Sequence, residues 1–95
     1  MAIETLTNFV NGAFVKSGAS EFLPVRDPGT AGVLTHVPLS PKDEVDAAVK
    51  AGAEAFREWR RTPAGERIQP LFRLKVLLEQ NREEIARTIT RECGK

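Results

Sequence analysis

The sequence has 95 residues, 41% of them hydrophobic and 28% charged, with a formal net charge of +1. That is enough chain for one small domain, too short to bury much of its own surface, and its mixed charge excludes a basic nucleic-acid face. A single cysteine excludes an internal disulfide, and no apolar run approaches the ~20 residues a membrane span requires.

The N-terminal stretch "MAIETLTNFV" lacks a basic region followed by an apolar core, so it does not read as a secretory leader and the chain is expected in the cytoplasm. "NFVNGAFV" is a hairpin signal. Asn11-Gly12 sits between Phe9-Val10 and Phe14-Val15, and both turn residues tolerate positive φ. After a loop at "SGAS", the stretches "EFLPVRDP" and "GVLTHVPL" predict a second strand pair around "DPGTAG". Pro24 and Pro38 lack amide donors and suit strand ends or edges.

From Ser40 the apolar period becomes helical. Ser40 is the expected cap, Pro41 the first helical residue, and Val45, Ala48, Val49, Gly52, Ala55, Phe56 and Trp59 form one stripe ending near Trp59. A second start follows, with Thr62 as cap and Pro63 at the first position. Its apolar residues, Ile68, Leu71, Phe72, Leu74, Val76, Leu77 and Leu78, point in several directions, the pattern of a helix covered on most sides. Pro70 predicts a kink near Gln69 or a helix that starts there. Asn81 and Glu84 suggest a further cap before Ile85, Ala86 and Ile89. The expected class is therefore α+β: β-hairpins over 1–39, then an antiparallel helical hairpin over 40–95, within one partial domain 1–95.

Candidate chemistry is sparse. Cys93 lies at a predicted helix C-terminus, where the dipole disfavours a thiolate, and Gly94 follows at a helix-ending position. His36, the only histidine, lies in a predicted strand with no second ligand at a metal-binding spacing. Asp43, Glu44 and Asp46 read as acids placed at the positive end of a helix, Trp59 as core, and the run Arg57, Arg60, Arg61, interrupted by Glu58, as a solvated helix end. None of the glycine-bearing stretches has the spacing of a phosphate-binding loop. No catalytic, cofactor-binding or metal-binding residue is assigned.

Taken in order, "FVNG", "DPGTAGV", "DEVDAAVKAGAEAFREW" and "ECGK" resemble the N-terminal segment of the aldehyde dehydrogenases. There an F-I-N-G hairpin leads to an N-P-x-T-G-E-V turn, a helix of D-V-D-x-A-V type and a second helix ending E-x-G-K. "VPLSPKDEVDAAV", "WRRTP" and "LFRLKVLLEQNREEIARTITRECGK" are most similar to the CoA-acylating methylmalonate-semialdehyde dehydrogenase branch. Asp27, Ala31, Gly32, Pro70 and Cys93 depart from the pattern. With Ala31 in place of the turn glycine, the positive φ is expected to move to Gly32 or Gly29.

The resemblance implies a chemistry in which a cysteine thiolate attacks an aldehyde, hydride passes to NAD, and the thioester is released to water or coenzyme A. It also implies that the groups doing this lie later in the family's chain, so this segment is structural and binds neither cofactor by itself. Cys93 falls at the helix-ending position and not at the nucleophile. The leading expectation is thus an N-terminal fragment or split part of an NAD-dependent semialdehyde dehydrogenase, partnered by the remainder of such an enzyme. The alternative is a stand-alone module, with its capped helix pair ending at Gly94, that self-associates as a dimer or docks on an intact dehydrogenase. A third reading, an unrelated small enzyme using Cys93 and His36, ranks last. Neither nucleic acid nor membrane is an expected partner.

Overall fold

The computed structural model describes residues 3–95. Two antiparallel hairpins come first. Strands β1 (Asn8–Val10) and β2 (Ala13–Val15) pair across the Asn11-Gly12 turn, where both residues have positive φ, 51° and 79°. Positive φ at both positions defines the turn whose twist matches the flanking strands. Phe9 and Phe14 face each other across the hairpin, ring centroids 5.0 Å apart in an edge-on arrangement.

Strands β3 (Phe22–Arg26) and β4 (Val33–Pro38) form the second hairpin, with an irregularity between Val25 and Arg26. The Leu39 amide donates to the Glu21 carbonyl, which fixes the alternation of hydrogen-bonded pairs and turns the backbone of Pro24 to the outer edge of β3. Its missing donor therefore costs the ladder nothing and blunts that edge. The other edge is also covered. Leu6 donates to the His36 carbonyl and His36 donates to the Glu4 carbonyl, so residues 4–6 meet β4 at His36 through an isolated parallel bridge. Nothing in the apolar pattern of the sequence signals this addition.

The turn between β3 and β4 differs from expectation. Positive φ stays on Ala31 (62°), not on Gly29 or Gly32. Asp27 explains the path: its carboxylate accepts the Gly29 amide, its carbonyl accepts the Ala31 amide, and its own amide donates to the Gly32 carbonyl. These three bonds close the loop so that residue 31 must turn left-handed, whatever its side chain.

The helices are α1 (Lys42–Trp59), α2 (Ala64–Arg67), α3 (Gln69–Gln80) and α4 (Arg82–Cys93). The α+β succession of hairpins followed by helices is the expected one, but both expected caps shift by one residue. Pro41 and Pro63, with extended ψ of 165° and 148°, occupy the cap positions themselves. Ser40 instead accepts a hydrogen bond from the Asn8 side chain, and the Thr62 hydroxyl donates back to the Glu58 carbonyl. Pro70 falls in the first turn of α3, after a break at Ile68, where its missing amide has no partner to lose. Asn81 separates α3 from α4 without a side-chain cap, since its amide group donates to the Leu77 carbonyl. Gly94 ends α4 in the left-handed conformation, φ 74°, its amide bonded to the Thr90 carbonyl.

Candidate functional site

Each side chain the sequence offers as a chemical group is accounted for locally. Cys93 is exposed in the last turn of α4, at the negative end of the helix dipole. His36 sits in β4, where its backbone joins the strand to residues 4–6. Among the described residues no hydrogen bond links the two, and no group of three His, Cys, Asp or Glu could hold a metal ion. The recess where α4 meets β4 is lined by Leu34, Thr35, Thr88, Arg91 and Glu92 and includes neither.

The acids at the start of α1 have structural duties. Glu44 accepts the Ser17 hydroxyl at 2.6 Å and the Gly18 amide at 2.9 Å, holding the loop between the hairpins against the helix. Asp46 pairs with Lys42 at 2.6 Å in solvent. Arg61 lies 3.8 Å from Glu58, both largely exposed, so the basic run is solvated. Pyrophosphate binding uses a glycine-rich approach to a bare helix N-terminus. Here the first turns of α1, α2 and α4 carry Asp43 and Glu44, Glu66, and Glu83 and Glu84.

What remains is a surface. Among the described residues no large hydrophobic side chain is buried. Phe56 and Trp59 on α1, Leu71 and Leu77 on α3, and Ile89 on α4 are among those in solvent. At about 3.6 residues per turn, the apolar side chains of α3 spread around nearly its whole circumference. Trp59, expected in a core, is 47% exposed because no other element of the chain packs over it to any extent. The accessible area is 8118 Å², against about 5,400 Å² for a compact monomer of this mass. The excess, about 2,700 Å², is the defining feature of the molecule.

Comparison with known proteins gives the family of the chain. A sequence model of the aldehyde dehydrogenase family matches residues 14–95. Malonate-semialdehyde dehydrogenase 2 of Geobacillus thermodenitrificans is 47% identical over 92 residues, 97% of this chain and 19% of that protein. A probable methylmalonate-semialdehyde/malonate-semialdehyde dehydrogenase (acylating, mitochondrial) of Dictyostelium discoideum is 45% identical over 87 residues, 92% of this chain and 16% of that protein. The crystal structure of an aldehyde dehydrogenase from Bartonella henselae shares the fold, with a TM-score of 0.88 at 23% identity over 95% of this chain and 19% of that one. The chain spans about a fifth of the length of the curated relatives it matches, and that fifth is N-terminal. By order of elements, fold and sequence alike, the chain belongs to the aldehyde dehydrogenase family.

Proposed function

We propose that this chain serves as the N-terminal structural part of a malonate- or methylmalonate-semialdehyde dehydrogenase. Its hairpins and helices pack against the cofactor-binding body of that enzyme and carry no catalytic group. The oxidation of the semialdehyde, with NAD as hydride acceptor and coenzyme A as acyl acceptor, is then the work of residues outside this chain. The observation that carries the reading is the uncovered apolar surface of α1, α3 and α4, on a chain that matches its relatives along nearly its whole length. No helix among the described residues is long and apolar enough to cross a membrane, and an exposed free thiol at Cys93 suits a reducing compartment such as the cytoplasm.

The test is a chimera in which this chain replaces the matching fifth of the Geobacillus enzyme. A folded protein with NAD-dependent semialdehyde oxidation is the expected result. An insoluble or inactive chimera, beside an active parent handled identically, overturns the reading.

A second reading is favoured by the exposed apolar stripe of α1 at Val45, Val49 and Phe56, which lies on one face of the helix: a self-associating module in which two copies cover each other, or one copy docks on an intact dehydrogenase. A single dimer whose mass does not change on dilution would carry it.

A further inference from the structure

The chain has three asparagines, and their surroundings differ. The Asn8 amide group donates to the Ser40 hydroxyl at 2.9 Å, and the Asn81 amide group donates to the Leu77 carbonyl at 2.8 Å. Their following residues, Phe9 and Arg82, carry bulky side chains. Asn11 is different on each count. It is exposed, its side chain makes no hydrogen bond to a described residue, and glycine follows it. Gly12 is exposed too, and a β-carbon built there would meet nothing within 4 Å, so no atom from outside the turn crowds it.

We infer that Asn11-Gly12 is a site of spontaneous deamidation, and that the reaction dismantles the β1–β2 hairpin. The Gly12 amide nitrogen gives up its proton to hydroxide and bonds to Asn11 Cγ. The bond from Cγ to Nδ2 breaks, ammonia leaves, and a cyclic succinimide remains. Water then opens the ring at either carbonyl. One opening gives aspartate, and the other gives isoaspartate, whose main chain runs through the side-chain carboxyl carbon. One water enters and one ammonia leaves, and nothing is oxidised or reduced. Glycine favours this chemistry because, lacking a β-carbon, it leaves its nitrogen unhindered and its backbone free to close the ring.

The fold sets the pace. Asn11 is held in the left-handed conformation, φ 51°, which turns the Gly12 nitrogen away from the Asn11 β-carbon. The ring therefore closes when the turn opens. The strands of this hairpin have three residues each, and neither outer edge pairs with another strand among the described residues. Two strands alone are marginally stable in water, so the turn opens readily. The product does not return to the same turn. Isoaspartate adds a carbon to the main chain, whereas the two-residue turn needs two ordinary residues at positive φ. The edge-on contact of Phe9 with Phe14 is lost with the pairing.

The experiment is incubation of the 95-residue chain at mildly alkaline pH, followed by trypsin cleavage and mass spectrometry. Cleavage after Lys16 leaves Asn8 and Asn11 on one peptide, where fragmentation tells them apart. Asn11 should convert at least about tenfold faster than Asn8 or Asn81, with isoaspartate among the products. Equal conversion at all three overturns the site, and so does an Asn11 that stays intact in buffer while the same chain converts in denaturant. Gly12→Ala should slow the reaction by about tenfold or more. That variant also loosens the turn, which by itself would speed ring closure, so slowing cannot come from lost stability. An unchanged or faster rate overturns attack by the Gly12 nitrogen. In the isoaspartate form, the amides of β1 and β2 should exchange as in an open chain while those of β3 and β4 keep their protection. Protection retained across β1 and β2 overturns the effect on the hairpin.

Discussion

Ala31 carries a conformational cost that can be read from a single residue. A left-handed backbone at a residue with a β-carbon costs roughly 1–2 kcal/mol, and Ala31 holds φ 62° because the Asp27 bonds leave it no other path. Ala31→Gly should remove that cost but return freedom to the unfolded chain, leaving a net gain of about 0.5–1 kcal/mol. Amide exchange at Asp27, whose N–H closes the turn, is the readout, and it should slow by about two- to five-fold. Gly12 supplies the opposite case. Its φ is 79°, and a β-carbon there would meet no atom within 4 Å, so only the backbone resists. Gly12→Ala should destabilise the β1–β2 hairpin by about 1 kcal/mol, seen as faster exchange of its amides. The two swaps exchange the same pair of residues in opposite directions at sites of the same positive φ, so gaining glycine is a gain and losing it is a loss.

At the scale of elements, the link between the hairpins and α1 rests on one carboxylate. Glu44→Ala removes the acceptor for the Ser17 hydroxyl and the Gly18 amide together, at a cost of about 1–3 kcal/mol. Exchange of the Gly18 amide should accelerate while the amides inside α1 keep their protection, since Asp43 remains in its first turn. If α1 frays as well, Glu44 supports the helix and not the loop. Element boundaries were legible where one residue type has one physical solution. Asn11-Gly12 could only be a tight turn, Gly94 a helix end, and Pro70 a kink or a helix start, of which the chain takes the start. The caps at Ser40 and Thr62 were misplaced because proline, held extended, can itself stand at the boundary and release the hydroxyl for other partners. Residues 4–6 escaped notice because a short parallel bridge needs only backbone atoms and leaves no mark on side-chain pattern. The candidate surface, by contrast, was visible as the apolar residues of α3 pointing in incompatible directions. What covers it was not visible, because a sequence records the need for cover without the shape of the cover.

The whole molecule is extended in a way its elements do not explain. The Cα radius of gyration is 17.1 Å, where a compact domain of this length has about 12 Å. β1 packs with β2, β3 with β4, and α3 touches α2 and α4, but α1 has no extensive partner and no layer closes over the helices. Two consequences follow for the free chain. Water is left in contact with apolar side chains on several faces, so a dye that fluoresces in apolar surroundings should bind it strongly. Self-association should also be open-ended. A first contact between two copies covers one side of α3 and leaves other sides bare, and a contact that does not close invites a third copy. Light scattering across a dilution series should therefore show a weight-average mass that rises steadily with concentration above the 10.5 kDa of one chain. A plateau at twice that mass would mean that two copies satisfy one another after all, and the self-associating module would become the better reading. A mass that climbs without a plateau would mean that no single two-fold contact covers the apolar residues around α3, and the self-associating dimer would be ruled out.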